Sequence, residues 1–338
     1  MSRYQPPFAI TSSILNNVVE IGELLGHWAA QSGRTSPLLR KENRIRTIQA
    51  SLAIEHNSLS TEQVTALMEG KRVLAPAKDI QEVRNAIDAY EQMPGWKSHR
   101  LQDLLTAHRT LMIGLVDSPG VLRSADVGIY RGNKVVHMAP PASQVPRLIA
   151  DLLTWSQQTD LHPLVVSSVF HYEFEFIHPF TDGNGRMGRL WQTLLLSEWR
   201  RELAWLPVET LIHHQQVQYY RVLGECDKKS DCTAFVEFML SNLVAALMEG
   251  VHQSSILSEE MSEEMSEKTA DSLSSQEQQV LSILAVQPRL SALALSRMLN
   301  VSSRTAERYL KSLQQKNKLR RIGATKGGYW QVSPTSER

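Results

Sequence analysis

Little in this sequence marks it for a specialised class of protein. Its 338 residues include two cysteines, Cys226 and Cys232, too few for a disulfide framework and not in the CxxC spacing of a metal site. No charge of one sign dominates: 36 Lys and Arg against 35 Asp and Glu leave a formal net charge of +1. The whole-chain balance therefore calls for no nucleic acid, membrane surface or acidic substrate. The opening residues (MSRYQPPFAITSS) lack the basic stretch and apolar run of a signal peptide. No window reads as the roughly 18 apolar residues that a membrane-crossing helix requires. GxxxxGK(S/T) is absent and no convincing GxGxxG occurs, which sets aside a P-loop or a dinucleotide fold. Together these absences imply a soluble protein of the reducing cytoplasm with no membrane partner.

What is present is helical periodicity, in a chain long enough for two or three domains. Leu101, Leu104, Leu105, His108, Leu111 and Met112 recur at three- and four-residue steps, as do Val145, Leu148, Ile149, Leu152 and Leu153. Strand-like sequence is scarce. Lys134 to Met138 (KVVHM) is the best extended piece, stopped by Pro140-Pro141. Residues 254–275 carry six acids against one lysine in a near-repeat, SEEMSEEMSEK. They read as a linker, with an acidic solvated helix as the other reading. Residues 276–338 carry 11 Lys/Arg against 3 Asp/Glu, a local charge of 11 − 3 = +8. Their pattern predicts three short helices, Gln276–Val286, Ala292–Leu299 and Ser303–Gln315. A hairpin of Leu319–Ile322 and Tyr329–Val332 follows, turning through Lys326-Gly327-Gly328. The expected fold is mainly α: a helical domain with one short hairpin, then a small α+β domain of winged-helix type. The divisions fall at 1–90 (N-terminal helical region), 91–253 (core), 254–275 and 276–338.

The most informative stretch is His178-Pro-Phe-Thr-Asp-Gly-Asn-Gly-Arg-Met-Gly-Arg189. An apolar segment (Leu164–Ile177) leads in and an apolar-periodic helix (Leu190, Trp191, Leu194, Leu195) leads out, so the motif is a loop ending at a helix N-terminus. Gly183, Asn184 and Gly185 give successive N–H groups the freedom to converge on an anion, and the helix adds its positive end. Arg186 and Arg189, three apart, share a face and suit a polyphosphate. Asp182 can hold Mg²⁺ against phosphate oxygens, and His178 is placed as a general base for a hydroxyl. Phe180 is expected to anchor the loop in the core. His171, Glu173 and Glu175, just upstream, do not share one helical face and read as a polar flank.

HPFTDGNGRMGR resembles the signature of the Fic family, HxFx(D/E)GNGRxxR, at every fixed position. The resemblance implies a helical Fic fold, transfer of AMP from Mg-ATP to a Tyr, Thr or Ser hydroxyl of a target protein, and a homodimer. It also implies His178 as base, Asp182 as Mg²⁺ ligand, Gly183, Asn184 and Gly185 around the phosphates, Arg186 on the polyphosphate and Arg189 on the γ-phosphate. Upstream, Ser51-Leu-Ala-Ile-Glu55-His56-Asn57 resembles the family's inhibitory helix, (S/T)xxxE(G/N), in an N-terminal position. Glu55 would pair with the guanidinium that the γ-phosphate needs. His56 departs from the pattern, where Gly or Asn is usual. Gly120–Arg123 with Lys134–Met138 resembles the flap that aligns a target segment by strand addition. Tyr219-Tyr220 resembles a position near the nucleotide base, with Tyr220 the candidate; packing is the plainer reading of two helical tyrosines.

In the basic C-terminal segment, Leu290–Leu299 and Ser303–Lys311 resemble the positioning and recognition helices of a winged helix-turn-helix, with Gly327-Gly328 in the wing. Ser302, Ser303, Arg304, Thr305 and Arg308 suit phosphate and base-edge contacts, and the +8 charge suits DNA. Docking of protein is the alternative use. Two functions follow: an adenylyltransferase held off by Glu55, or a DNA-binding regulator whose Fic domain senses a nucleotide.

Overall fold

In the computed structural model, which describes residues 4–32, 37–131, 134–271, 273–323 and 327–333, the chain divides into two units, Met1–Ser254 and Ser255–Arg338. The first unit opens with α1 (Ser12–Ser32), α2 (Pro37–Ile54), α3 (Thr61–Met68), α4 (Ala77–Gln92) and α5 (Leu101–Met112). A hairpin follows, β1 (Gly128–Arg131) and β2 (Lys134–Met138), then α6 (Val145–Gln158), α7 (Pro163–Ile177) and α8 (Asn184–Trp199). α9 (Val208–His214), α10 (Gln216–Lys229) and α11 (Thr233–Asp271) complete it, α11 running on past Ser254.

α7 is the axis of this unit. It is buried on nearly every side rather than along one stripe, which marks a helix enclosed by others. Leu164, Val169, Phe170 and Phe174 have no exposed surface. Pro163 sits where its missing N–H is harmless, and His162 accepts from the Leu164 N–H at 3.3 Å. α8 packs along α7, with α5 and α6 also against this pair. Asn85 of α4 donates to the carbonyls of Leu111 and Ile113, at 3.0 and 2.8 Å, closing the C-terminal end of α5.

One expectation is corrected here. The window Thr233–His252 at the start of α11 does have the length and hydropathy of a membrane-crossing helix. Its apolar face is spent on the core: Phe235, Met239, Leu243 and Leu247 are fully buried. The acidic stretch, for which a linker and a solvated helix are the two readings, is helical as far as Asp271.

The second unit has its own small core of Val280, Leu284, Leu295, Ala306, Leu310, Leu313 and Leu319. It is built from α12 (Ser275–Val286), α13 (Ala292–Met298), α14 (Ser303–Gln315) and an antiparallel hairpin of β3 (Leu319–Ile322) and β4 (Tyr329–Val332). α12 starts with a capping box, Ser274 with Glu277, and Glu277 also accepts from Ser312 and Lys316 of α14's end, at 2.5 and 2.9 Å. Lys326 of the expected turn lies outside the described residues. Among the described residues the chain is thus mainly α with two short hairpins, as the sequence implies.

Candidate active site

The loop between α7 and α8 is closed by its own side chains. His178 ends α7 in the left-handed region (φ 50°) and Gly183 opens α8 at φ 83°. A Cβ at Gly183 would also meet Met112 Sδ at 2.6 Å, so only glycine fits. The Asn184 carboxamide accepts from the Phe180 N–H and donates to the Phe180 carbonyl, both at 2.9 Å. Its side chain is therefore taken up in shaping the loop, and only its backbone N–H is free for an anion. Phe180 is fully buried, as expected, stacked 3.6 Å from the ring of His108.

His108 and Arg123 carry this loop from outside it. His108 Nδ1 accepts from the Gly120 N–H at 2.8 Å, so its proton sits on Nε2 and is donated to the Asp182 carbonyl at 3.0 Å. Burial pushes its pKa down to about 4, which keeps that neutral tautomer. Arg123 is buried and donates to four carbonyls: His178 at 2.7 Å, Ile177 at 3.2 Å, Pro140 at 2.6 Å and Ala125 at 3.0 Å. It ties the end of α7 to the segments on either side of the hairpin. Gly120–Arg123 is for this reason not a flap strand. The strand paired with β2 is β1, Gly128 opposite Met138 and Arg131 opposite Lys134, with a bulge after Ile129.

Each motif arginine faces a carboxylate. Arg186, buried, donates to Glu82 of α4 at 3.1 Å and to Asp182 at 3.3 Å. Arg189, with 1% of its side chain exposed, donates to Glu55 at 2.8 Å. It also donates from Nε to the Ser51 hydroxyl at 3.0 Å and from Nη2 to the Ser51 carbonyl at 2.9 Å. The carboxylate of Glu55 lies against Gly185, where a Cβ would come within 2.5 Å of its Oε1. His56 takes φ 68°, the conformation that explains why Gly or Asn is usual there. Asn57 then donates to Glu82 at 2.8 Å, so the turn after α2 touches the counter-ion of Arg186 as well.

Asp182 is 56% exposed; its Oδ1 accepts from the Gly183 N–H at 2.6 Å. No cluster of three or more His, Cys, Asp or Glu able to hold a metal exists among the described residues. A lone open carboxylate beside a glycine turn fits a hard cation that keeps waters and substrate oxygens as its other ligands. His178 Nδ1 is buried and has no hydrogen-bond partner among the described residues. Burial pushes the His178 pKa down to about 4, helped by the positive charges of His137 and Arg123. Tyr220 of α10 is 38% exposed, edge-on to Tyr219 at 5.2 Å, whereas Tyr219 is core, its hydroxyl 3.0 Å from His171 Nε2.

The supposed polar flank is interior. His171 is fully buried, its Nδ1 2.7 Å from Gln192 Oε1, and burial pushes its pKa down to about 3. Glu173 is met by the Tyr4 hydroxyl at 2.5 Å, and burial pushes the Glu175 carboxyl up to about 7. His171 and Glu173 are buried because their polar atoms are partnered from other segments, while the half-buried Glu175, whose Oε1 has no hydrogen-bond partner among the described residues, takes a proton more readily. Glu82, His108, Arg123 and His137 were not legible as site residues, since nothing in their local spacing sets them apart.

The unit brings together a glycine-opened helix end, two buried arginines and an adjoining histidine, an arrangement suited to a phosphate-bearing anion. The Fic/DOC family profile matches residues 98–196, and a helix-turn-helix domain profile matches residues 276–330. The crystal structure of a Fic family protein from Desulfovibrio desulfuricans G20 is 46% identical, covers 99% of this chain and 100% of its own, and superposes with a TM-score of 0.72. The chain belongs to the Fic family and carries a C-terminal helix-turn-helix domain. The protein adenylyltransferase Fic of Nematostella vectensis is 26% identical over 213 residues, 59% of this chain and 47% of its own length. That of Caenorhabditis briggsae is 27% identical over 251 residues, again 47% of its length. The chain thus spans about half the length of the curated relatives it matches. Fic-1 of C. elegans (residues 134–508) shares the fold at TM-score 0.57 and 19% identity over 72% of this chain and 74% of that one.

Proposed function

We propose that the protein is a nucleotidyltransferase that moves AMP from Mg-ATP to a hydroxyl of a target protein, and that Glu55 holds it off. The observation that carries this reading is the 2.8 Å pair of Glu55 and Arg189, seated over a position with no room for a Cβ. The adenylyltransferase names of its relatives support the activity. In the reaction, His178 takes the proton of the target hydroxyl as that oxygen bonds the α-phosphorus. The bond from the α-phosphorus to the bridging oxygen breaks, and pyrophosphate leaves with its electron pair. A neutral His178, kept so by burial, is the form that can accept this proton. Arg189 takes the γ-phosphate once Glu55 withdraws, Arg186 and the N–H groups of Asn184 and Gly185 face the polyphosphate, Gly183 gives its N–H to Asp182 and opens the turn around the phosphates, and Tyr220 lies toward the base. Asp182 would hold Mg²⁺, which offsets the charge of the phosphate oxygens when bound. Until Glu55 leaves Arg189, ATP finds its γ-phosphate site taken.

Intact-mass spectrometry of protein mixtures incubated with the Glu55→Gly chain and Mg-ATP tests the chemistry. An adenylyl adduct on a Tyr, Thr or Ser supports it; phosphoryl adducts or none would overturn it.

The second reading, a DNA-binding regulator, is favoured by one separate observation. α14 presents Arg304, Arg308 and Lys311 to solvent in the segment matched by the helix-turn-helix profile. Retardation of duplex DNA by the full chain, weakened by salt and lost in Arg304→Glu/Arg308→Glu, supports that partner; no retardation at low salt removes it.

A further inference from the structure

We infer that His137 is a positioning residue: a standing imidazolium that pins the flap strand β2 to the end of α7, next to His178. His137 Nδ1 lies 3.0 Å from Asp227 Oδ2 of α10, and its Nε2 lies 2.8 Å from the Phe176 carbonyl of α7. A carbonyl oxygen only accepts, and so does an ionised carboxylate. A neutral imidazole donates from one nitrogen only, so satisfying both acceptors requires both N–H groups, that is, the cation. Only 8% of the side chain is exposed, too little for water to substitute for either partner. The Tyr172 hydroxyl of α7 donates to the other oxygen of Asp227 at 2.9 Å and fixes the carboxylate in place. The Phe176 ring adds an edge-on contact at 5.0 Å.

The placement ties this cation to the reaction proposed above, and the catalytic part of the inference rests on that reading. Three successive carbonyls at the end of α7 are each held by a cation: Phe176 by His137, Ile177 and His178 by Arg123. These are the unpaired acceptors at the negative end of a helix, where a positive charge is favoured. The flap strand is thereby fastened two residues before His178. The groups facing His137 are Asp227 from α10, Tyr172 and Glu175 from α7, and His178 from the loop. Burial works against its charge, but Asp227, the Phe176 carbonyl and Glu175 together outweigh it and raise the pKa above the ordinary 6.5. In return its charge is among those that hold His178 unprotonated.

The test reads charge without turnover, so it holds even for a chain that transfers no AMP. Nitrogen NMR of the full chain labelled in histidine reports each ring's protons, with His137 assigned by the signals lost in His137→Gln. The expected result is two protonated nitrogens on His137 at pH 7. In Asp227→Asn, which keeps the shape, His137 becomes neutral at pH 7. His178 then titrates closer to 6.5, and amides of β2 exchange at least about tenfold faster, as loss of a charged hydrogen bond implies. One proton on His137 at pH 7 in the unaltered chain would overturn the inference, as would β2 exchange and a His178 titration both unchanged in Asp227→Asn. If the target acceptor is in hand, the same variant in the Glu55→Gly background should shift the acid limb of the rate profile upward.

Discussion

Replacing Gly185 by alanine isolates the contact between Glu55 and Arg189 from the rest of the site. A Cβ there would stand 2.5 Å from Glu55 Oε1 and 3.1 Å from Arg189 Nη1. Real Cβ atoms keep at least 3.0 Å from such neighbours, so the carboxylate must retreat by at least 3.0 − 2.5, about 0.5 Å. The 2.8 Å ion pair then passes beyond the roughly 2.7–2.9 Å of a charge-assisted bond. Losing a hydrogen bond to a charged group costs about 1.5–3 kcal/mol. Alanine also gains up to about 1 kcal/mol over glycine in the first turn of α8, whatever residue 55 is. Gly185→Ala is therefore expected to destabilise the otherwise unaltered chain and to be neutral or stabilising in Glu55→Gly. The difference between the two backgrounds is a coupling of about 1.5–3 kcal/mol. Thermal melts of the four proteins measure it, at about 2–4 °C per kcal/mol for a unit of this size. The same Tm change in both backgrounds would refute the seating of Glu55 over Gly185.

Arg123→Lys cannot reach the carbonyls of Ala125, Pro140, Ile177 and His178 at once. It is expected to lower stability in urea by about 3 kcal/mol or more; a loss under about 1 kcal/mol would deny Arg123 its tie between the hairpin's flanks and the loop. For His108, burial holds the folded pKa at about 4 against an ordinary 6.5. Above pH 6.5 both folded and unfolded forms are neutral, and as pH falls toward about 4 only the unfolded chain gains a proton, so the stability that His108 supplies is lost in that window. The penalty of His108→Gln, measured by urea unfolding, should be largest above pH 6.5 and shrink toward pH 4, whereas a penalty that grows in acid would contradict the neutral tautomer.

The loop of the site was legible because its chemistry is local. His178 through Arg189 lie in twelve consecutive positions, and the helix that follows shows its apolar period. Glu55 was legible as a short motif, and its distance to Arg189 came from the fold. What escaped reading comes from far along the chain. Glu82 sits in an ordinary amphipathic helix, and nothing in AKDIQEVRNAI says that one acid will meet Arg186, 104 residues away. Arg123 acts on backbone carbonyls, which leave no trace in side-chain patterns. His171 and Glu173 misled because polar residues ordinarily mark a surface, while here their partners Gln192, Tyr219 and Tyr4 arrive from other segments. The hairpin was half legible: KVVHM reads as a strand, but GIYR is too short and mixed to stand out, and glycine and arginine at 120 and 123 serve packing instead.

Transfer of label from α-labelled ATP with Mg²⁺ tests the central claim most directly, comparing the unaltered chain, Glu55→Gly and Glu55→Gly/His178→Ala, with γ-labelled ATP alongside. Freeing Arg189 from a charged hydrogen bond worth about 1.5–3 kcal/mol should raise transfer by about 10–150-fold. The predicted result is strong α-label with Glu55→Gly, little with the unaltered chain, none once His178 is removed, and no γ-label. Equal transfer with and without Glu55, γ-label on the product, or no transfer by Glu55→Gly would contradict it.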